Sequence, residues 1–361
     1  MSTKLRVGIL GATGLVGQRF VTLLENHPYF EVKCIAASKR SAGKTYYENV
    51  KDRWKLNKPI PEYIKNLVVK DIYEIDAISS EVDFVFCAVN MPKDEIRKIE
   101  EEYAKHEVPV VSNNSAHRFT PDVPVIIPEV NPEHLEIIKK QKERLGTKKG
   151  FIVAKPNCSI QSYVPAISAL LEFKPTKILV CTYQAISGSG KTFKEFPDIV
   201  DNTIPYIPGE EQKSEDEPLK VWGHIEGNKI VSATSTKITS QCIRVAVSDG
   251  HLAAVFVSFE KKPSKEEMIE RFRNFKGKPQ LLNLPTAPKH FLTYFEDDFR
   301  PQPKLDRDLE KGMGISIGRL REDSLFDYKF VGLSHNALRG AAGGALLTAE
   351  LLYKEGYLTA K

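Results

Sequence analysis

The sequence predicts an α/β protein in two units: a doubly wound parallel sheet at the N-terminus, then an α+β unit with a mainly antiparallel or mixed sheet. Three observations carry this. Strand-like apolar runs alternate with helix-like patterns from Leu5 to Ala154, which implies parallel strands joined by crossover helices. A glycine-rich turn follows the first run directly. From Lys177 onward the runs are β-rich, with few helices between them. At 361 residues the chain exceeds what one core usually serves. Two domains are therefore expected, 1–157 completed by a closing helix at 335–361, and 158–334.

Leu5–Leu10 leads into Gly8-Ile-Leu-Gly11-Ala12-Thr13-Gly14-Leu15-Val16-Gly17, with Phe20, Leu23 and Leu24 behind it at helical spacing. Strand, glycine turn and helix in that order make a Rossmann-like dinucleotide site. Gly11 permits the tight turn, Gly14 lets backbone approach a pyrophosphate, and Gly17 allows the helix to close on the strand. The spacing is G-x-x-G-x-x-G rather than G-x-G-x-x-G, so its place directly after a strand carries much of the weight. The second strand-like run, Phe30–Ala36, ends where an NAD-binding chain sets a carboxylate on the ribose. Here the chain reads Ala37-Ser38-Lys39-Arg40-Ser41. Two hydroxyls and two cations without a carboxylate suit a 2′-phosphate, so NADP is the expected cofactor, held by Ser38, Ser41 and Arg40, with Lys39 as the alternative cation. An exposed polar turn is the plainer alternative.

Val82–Val89 and Val108–Val111 read as further strands, and Pro92–Ala104 as a helix with Ile96, Ile99 and Tyr103 on one face. The segment from Asp52 to Asp71 has no clean period. Phe151–Ala154 is a strand-like run that stops just before Cys158, and Ile160, Val164, Ile167 and Leu171 follow at near-helical spacing despite Pro165. Cys158 is thus expected at a helix N-terminus, where backbone N–H groups and the macrodipole favour thiolate. In the second half Ile178–Ala185, Ile230–Thr234, Cys242–Val247 and Leu252–Phe259 read as strands. Lys265–Phe275 reads as a helix opened by a Ser264/Glu267 capping box. Gly188–Glu217 is polar and too long for a simple connector, which marks a functional or interface loop. Ser334–Tyr353 closes the chain as a small-residue helix suited to packing on a nucleotide-binding unit.

Composition excludes several classes. Hydrophobic content of 41% and charged content of 27% are ordinary for a globular protein, and no apolar run approaches the roughly 18 residues that span a bilayer. The opening Met1-Ser-Thr-Lys-Leu-Arg6 enters a strand pattern almost at once and leaves no room for a signal peptide. Five scattered cysteines, with no C-x-x-C pair, point to free thiols in a cytoplasm and to no metal. A net charge of +5 is modest, and the basic group Lys139–Lys149 has no aromatic interleaving, so neither nucleic acid nor membrane is an expected partner.

Seven segments together resemble the aspartate-β-semialdehyde dehydrogenases of archaea and fungi, over nearly the whole chain. They are Gly11–Gly17, Ser112-Asn-Asn-Ser-Ala-His-Arg118, Pro156-Asn-Cys-Ser159, Tyr183–Gly188, Ile207-Pro-Gly-Glu-Glu-Gln-Lys213, Gln241–His251 and Arg339-Gly-Ala-Ala-Gly-Gly344. The resemblance implies a catalytic and dimerisation domain in the second half, a homodimer or homotetramer, and a reversible NADP-dependent reductive dephosphorylation of L-4-aspartyl phosphate to aspartate semialdehyde and phosphate. It implies biosynthesis of lysine, threonine and methionine. Cys158 matches the nucleophile that forms a thiohemiacetal and then a thioester, with Asn157 and nearby N–H groups steadying the oxyanion. His251 matches the acid/base, and Arg244, on the same strand-like run, the grip on the substrate carboxylate. Gln184 matches a substrate-orienting amide, Glu210 the ammonium ligand (with Glu211 as the alternative), and Lys213 and Arg118 the phosphate ligands. Asn113 and Ser115 lie where the nicotinamide edge passes, and Ser187, Gly188 and Asn336 complete the cofactor contacts. Taken without the resemblance, His251 reads as a turn residue, Arg244 as a surface cation and Gln184 as a core amide.

Two alternatives remain. A malonyl-CoA or succinyl-CoA reductase shares the scaffold and the cysteine, but a CoA thioester has no use for Glu210 or for paired phosphate anchors, and N-acetyl-glutamyl-phosphate reductase differs in its nucleophile motif and loop. A non-catalytic NADP sensor needs only the glycines and Ser38–Ser41, not the set from Cys158 to His251.

Overall fold

The computed structural model describes residues 4–361, so the first three residues of the opening hexapeptide lie outside the described part. In the N-terminal half β1 (Leu5–Leu10), β2 (Phe30–Ala37), β3 (Lys70–Asp71), β4 (Phe84–Cys87), β5 (Val110–Ser112) and β6 (Ile152–Ala154) form one sheet in the order β3-β2-β1-β4-β5-β6. Every pair is parallel. All residues of β4, β5 and β6 are buried, as parallel strands covered on both faces require. The strand order reverses between β1 and β4, and the crevice above their C-terminal ends is where such sheets bind ligands.

The glycine turn sits there. Gly11 has φ +86°, which L side chains rarely adopt, and a Cβ on it would meet the Ala88 carbonyl oxygen at 2.4 Å. Gly14 caps the helix Leu15–Leu23, and a Cβ on Gly17 would meet the Gly11 carbonyl oxygen at 2.3 Å, so the helix closes on β1 only because that carbon is missing.

The second half builds a seven-stranded mixed sheet from β7 (Pro175–Gln184), β8 (Thr203–Ile204), β11 (Lys237–Val245), β12 (His251–Phe259), β13 (Leu292–Phe295), β14 (Ile315–Glu322) and β15 (Tyr328–Ser334), with β9 (His224–Glu226) and β10 (Lys229–Val231) forming a separate hairpin. Its order is β13-β14-β15-β12-β7-β11-β8. The pairs β7/β11 and β13/β14 are parallel and the others antiparallel. Buried and half-buried residues alternate strictly along β12, the period of a sheet with one face on the core.

One apolar cluster runs through both sheets, from Val110 and Ile152 to Val255 and Ile317. A second packs Phe20, Phe84 and Phe86 against Leu346 and Leu351 of the closing helix Gly343–Lys354, so the C-terminus covers the first sheet. Each buried phenylalanine contributes about 1.5–3 kcal/mol.

The helices Lys93–Lys105, with Ile96, Ile99 and Tyr103 buried, and Lys265–Asn274, with its Ser264/Glu267 capping box, match the sequence reading. Several elements differ. The stripe from Ile160 to Leu171 is not one helix but a 3-10 turn Ser159–Ser162, a helix Val164–Ser168 and a second 3-10 turn Leu171–Phe173. Pro165 is the reason: it lacks an N–H and is tolerated only in a helix's first turn, where it stands. The polar stretch Gly188–Glu217 ends inside the helix Glu210–Val221, which Pro218 concealed in the sequence. Arg244 and His251 do not share a strand. β11 ends at Val245, and a turn through Gly250 (φ +99°) leads into β12 at His251. The segment Asp52–Asp71 holds a short helix, Glu62–Lys65, and β3, and the closing segment starts with a π-helical turn at Leu338–Ala342.

Candidate active site

Because β7 lies between β11 and β12, three side chains reach one edge of the second sheet: Gln184 at the end of β7, Arg244 in register beside it on β11, and His251 at the start of the antiparallel β12. The segment leaving β6 brings Asn157 and Cys158 to the same place, and the helix Glu210–Val221 points its first turn there. Cys158 Sγ is 3.4 Å from His251 Nε2. On the other side of the ring, Nδ1 accepts the Ala185 backbone N–H at 3.0 Å. A lone pair committed at Nδ1 leaves the proton of a neutral imidazole on Nε2, facing the sulfur. Burial, with the Arg244 charge adding to it, lowers the His251 pKa to about 3, so the ring is neutral at working pH.

The expected bias of Cys158 toward thiolate is corrected. It caps a 3-10 turn of four residues, too short to sum a macrodipole. Burial first, then the Glu210 carboxylate, push the thiol up, while Lys155, Arg118 and Arg244 pull it down without prevailing.

Glu210 is the hub of the polar network. Its carboxylate accepts Lys213 Nζ at 2.7 Å, Asn157 Nδ2 at 3.1 Å on both oxygens, and Gln184 Nε2 at 3.0 Å. Burial acts to raise its pKa, but Lys213 and these hydrogen bonds outweigh it and hold Glu210 below the usual carboxylate range. Glu211 turns the other way, accepting Gln241 Nε2 at 3.0 Å and the Cys242 N–H at 3.2 Å. Arg244 donates to the Ala185 carbonyl at 2.7 Å. A Cβ on Gly188 would stand 2.9 Å from Arg244 Nη1 and 3.1 Å from His251 Cε1, so glycine there lets both side chains close.

A cavity of about 280 Å³ joins this network to the glycine turn. Leu15, Val16, Asn113, Arg118, Asn157, Cys158, Ser187, Gly188, Lys213 and Asn336 all line it. Asn336 bridges the two units, accepting the Gly250 N–H at 2.8 Å and donating to Ser187 Oγ at 2.8 Å. Both side-chain atoms of Asn113 and the Gln184 Oε1 are buried without a partner among the described residues. A buried amide with donor and acceptor both unmet fits a ligand carboxamide at the cavity wall. Ser38 and Arg40 are exposed in a turn closed by the Ser41 N–H on the Ser38 carbonyl (2.8 Å), beyond the β2 end and outside the cavity lining.

Two residues of the site escaped the sequence reading. Glu217 is 1% exposed, accepts Arg118 Nη1 at 2.8 Å and the Asn157 N–H at 2.6 Å. Lys155 is 3% exposed. A signal for Glu217 existed: Glu210, Lys213 and Glu217 share one face once the helix is recognised. Arg118 also donates to the carbonyls of Lys155 and Asn113, so it reaches the cavity already oriented. Glu217→Ala should therefore cost about 3–5 kcal/mol of stability in urea unfolding, because Arg118 stays buried without its counter-charge. Glu217→Gln should cost less. An alanine variant as stable as wild type would show that the pair does not hold the site.

Comparison with known proteins points to one family. A family model described as "Semialdehyde dehydrogenase, NAD binding domain" matches residues 6–138, and one described as "Semialdehyde dehydrogenase, dimerisation domain" matches 165–339. The chain is 42% identical to the aspartate-semialdehyde dehydrogenase of Aspergillus fumigatus, covering 98% of this chain and 99% of that one. It is also 42% identical to that of Archaeoglobus fulgidus, covering 97% and 98%. Among solved structures, the Candida albicans aspartate semialdehyde dehydrogenase with NADP superposes with a TM-score of 0.87 at 36% identity, covering 98% of this chain and 100% of that one.

Proposed function

Because this chain belongs to the aspartate-semialdehyde dehydrogenases, NADP-dependent oxidoreductases of amino-acid biosynthesis, we propose residue roles for the family reaction: reversible conversion of aspartate semialdehyde and phosphate to L-4-aspartyl phosphate. Cys158 attacks the aldehyde as the thiolate, its proton having left to solvent, and the Nε2–H of His251 donates to the oxygen of the resulting thiohemiacetal anion. The 3.4 Å contact between Sγ and Nε2 is the observation that carries this reading. An oxygen that stays anionic expels hydride more readily, so a neutral donor aids this step in either direction. Asn157 is the second oxyanion donor. Bound NADP supplies or accepts the hydride. The thioester left on Cys158 is then cleaved by phosphate, which Arg118 and Lys213 hold.

Arg244 grips the substrate carboxylate with its planar fork, Gln184 orients the substrate, and Glu210 takes the ammonium in competition with Lys213. The competition is useful. Lys213 relieves the charge of Glu210 before substrate arrives, which limits the cost of a buried carboxylate. Gly11, Ala12, Thr13, Gly14, Leu15 and Val16 cradle the pyrophosphate, and Asn113, Ser187, Gly188 and Asn336 meet the nicotinamide end. We further propose a homodimer or homotetramer in the cytoplasm. Support comes from the dimerisation-domain description and from the five free cysteines.

Ser38, Arg40 and Ser41 are proposed to read the 2′-phosphate. Part of that contact is exposed, so the preference for NADP over NAD should fall as salt rises. Ser38→Asp should reverse the preference in kcat/KM. A wild type indifferent to the two cofactors, or an aspartate variant that still prefers NADP, would remove this turn from the recognition site.

A further inference from the structure

The helix Lys93–Lys105, which crosses over from β4 to β5, buries Ile96, Ile99, Tyr103 and Ala104. Glu100 lies in the same stripe, at a position where an amphipathic helix sets an apolar side chain, and it is fully buried. No lysine or arginine of the described residues comes within ion-pair distance of it, and the nearest basic group is His117, with Nε2 4.0 Å from Oε2. Oε2 itself has no hydrogen-bond partner among the described residues. Burying a carboxyl group on these terms costs stability that a leucine would not. Its contacts show what it does there.

Both donors that reach Glu100 come from the turn that leaves β5. Oε1 accepts Ser112 Oγ at 2.6 Å and Asn114 Nδ2 at 3.0 Å, and Ser112 Oγ in turn accepts the Asn114 backbone N–H at 3.0 Å. One carboxyl oxygen thus closes a ring through the side chain and the backbone of the same turn. The turn is also pinned to β4: Asn114 Nδ2 meets Cys87 Sγ at 3.2 Å, and the Asn113 N–H donates to the Cys87 carbonyl at 2.8 Å. One helical turn before Glu100, Arg97 Nε donates to the Ala116 carbonyl at 2.9 Å. The helix therefore grips the segment 112–116 at two points. Glu100, Arg97 and Ser112 do not line the cavity, whereas Asn113, Ser115 and Arg118 of the same stretch do. Asn113 presents its unmet amide there, and its carbonyl accepts Arg118 Nη2 at 3.2 Å, so the two residues move with one turn.

We propose that Glu100 is a positioning residue that acts through Asn113 and Arg118: a buried acceptor that fixes the turn leaving β5, so that the nicotinamide contact and the phosphate contact are held in place together. This rests on the roles given above to Asn113 and Arg118. Glu100 serves as an acceptor and not as a charge, because both hydrogen bonds fall on one oxygen while the other has no partner. Arg244 and Gln184, which hold the semialdehyde, stand on the other sheet, and none of the hydrogen bonds of Glu100 reaches them. That separation supplies the test.

With the full-length protein, the NADP Kd is measured by titration and the KM values for phosphate and semialdehyde by steady-state kinetics. Glu100→Ala should raise the phosphate KM about tenfold or more and the NADP Kd about threefold or more, with the semialdehyde KM within about twofold of wild type. Glu100→Gln keeps an accepting oxygen and should hold all three near wild type. Structural damage alone would move the three constants together. A Glu100→Ala variant whose phosphate and NADP constants match wild type, or whose semialdehyde KM rises as much as they do, overturns the proposal. So does a Gln variant as impaired as the alanine one. If Glu100→Ala does not fold, Ser112→Ala removes one donor of the ring at a residue outside the cavity lining and decides alone: the same split at smaller size supports the proposal, and three unchanged constants or a uniform rise overturn it. Failure of the underlying reading looks different. Arg118→Ala and Asn113→Ala would then leave the phosphate and NADP constants unchanged, and the proposal falls with it.

Discussion

Cys158→Ala is expected to lower turnover by roughly four decades or more while NADP affinity stays within a few-fold, because the thiol forms the covalent intermediate and the cofactor is held elsewhere. Cys158→Ser should keep at most a trace, since a hydroxyl is a far poorer nucleophile near neutral pH. Labelling gives an independent check. Cys34, Cys87 and Cys242 are buried, and burial pushes the Cys34 thiol up to about 12. Cys181 is half-buried, and burial raises it too, but it has no surrounding cations such as Lys155, Arg118 and Arg244 provide at Cys158. Iodoacetamide should therefore modify Cys158 first. Equal labelling of all five thiols, or an active alanine variant, contradicts the assignment.

The second large effect is expected at Arg244. Losing a desolvated charged contact costs about 2–5 kcal/mol, so Arg244→Ala should lower kcat/KM for the semialdehyde by about 1.5 to 3.5 decades, mostly through KM. Part of that loss is indirect. Arg244 donates to the carbonyl of Ala185, the residue whose N–H fixes the His251 ring. Arg244→Lys restores a charge but not a planar fork, and should recover only a fraction. A Lys variant equal to wild type, or an alanine variant with unchanged semialdehyde KM, would move the carboxylate site away from β11.

The parts of this molecule most open to reading from sequence are those where local chemistry and tertiary need coincide. The glycine turn is one: Gly11 needs a positive φ, and Gly17 leaves no room for a side chain. The capping box at Ser264 is another. The site was legible as a list of residues but less so as an arrangement. The resemblance supplied Arg244 and His251, yet only the register of β7 between β11 and β12 explains why they meet. Pro165 broke a helix that the apolar spacing had promised, and Pro218 hid one that was there. Periodicity counts apolar positions and does not register how a proline is accommodated. Lys155 and Glu217 were missed for a different reason. A buried charge looks in sequence like a surface one, and its burial follows from the packing of segments far apart in the chain. The thiolate expectation for Cys158 failed likewise, because burial, and after it the carboxylate of Glu210, both follow from the packing of other elements and push the thiol up.

The most direct test of the cysteine-thioester chemistry is a reaction of the full-length protein with aspartate semialdehyde and NADP in the absence of phosphate. A burst of NADPH stoichiometric with active sites is expected, with an acyl adduct located on Cys158 by mass spectrometry of the digested protein. Added phosphate should then discharge the adduct as aspartyl phosphate and restore steady turnover, whereas added coenzyme A should not. No burst, an adduct on another residue, or an adduct that coenzyme A releases and phosphate does not, would contradict the proposed chemistry.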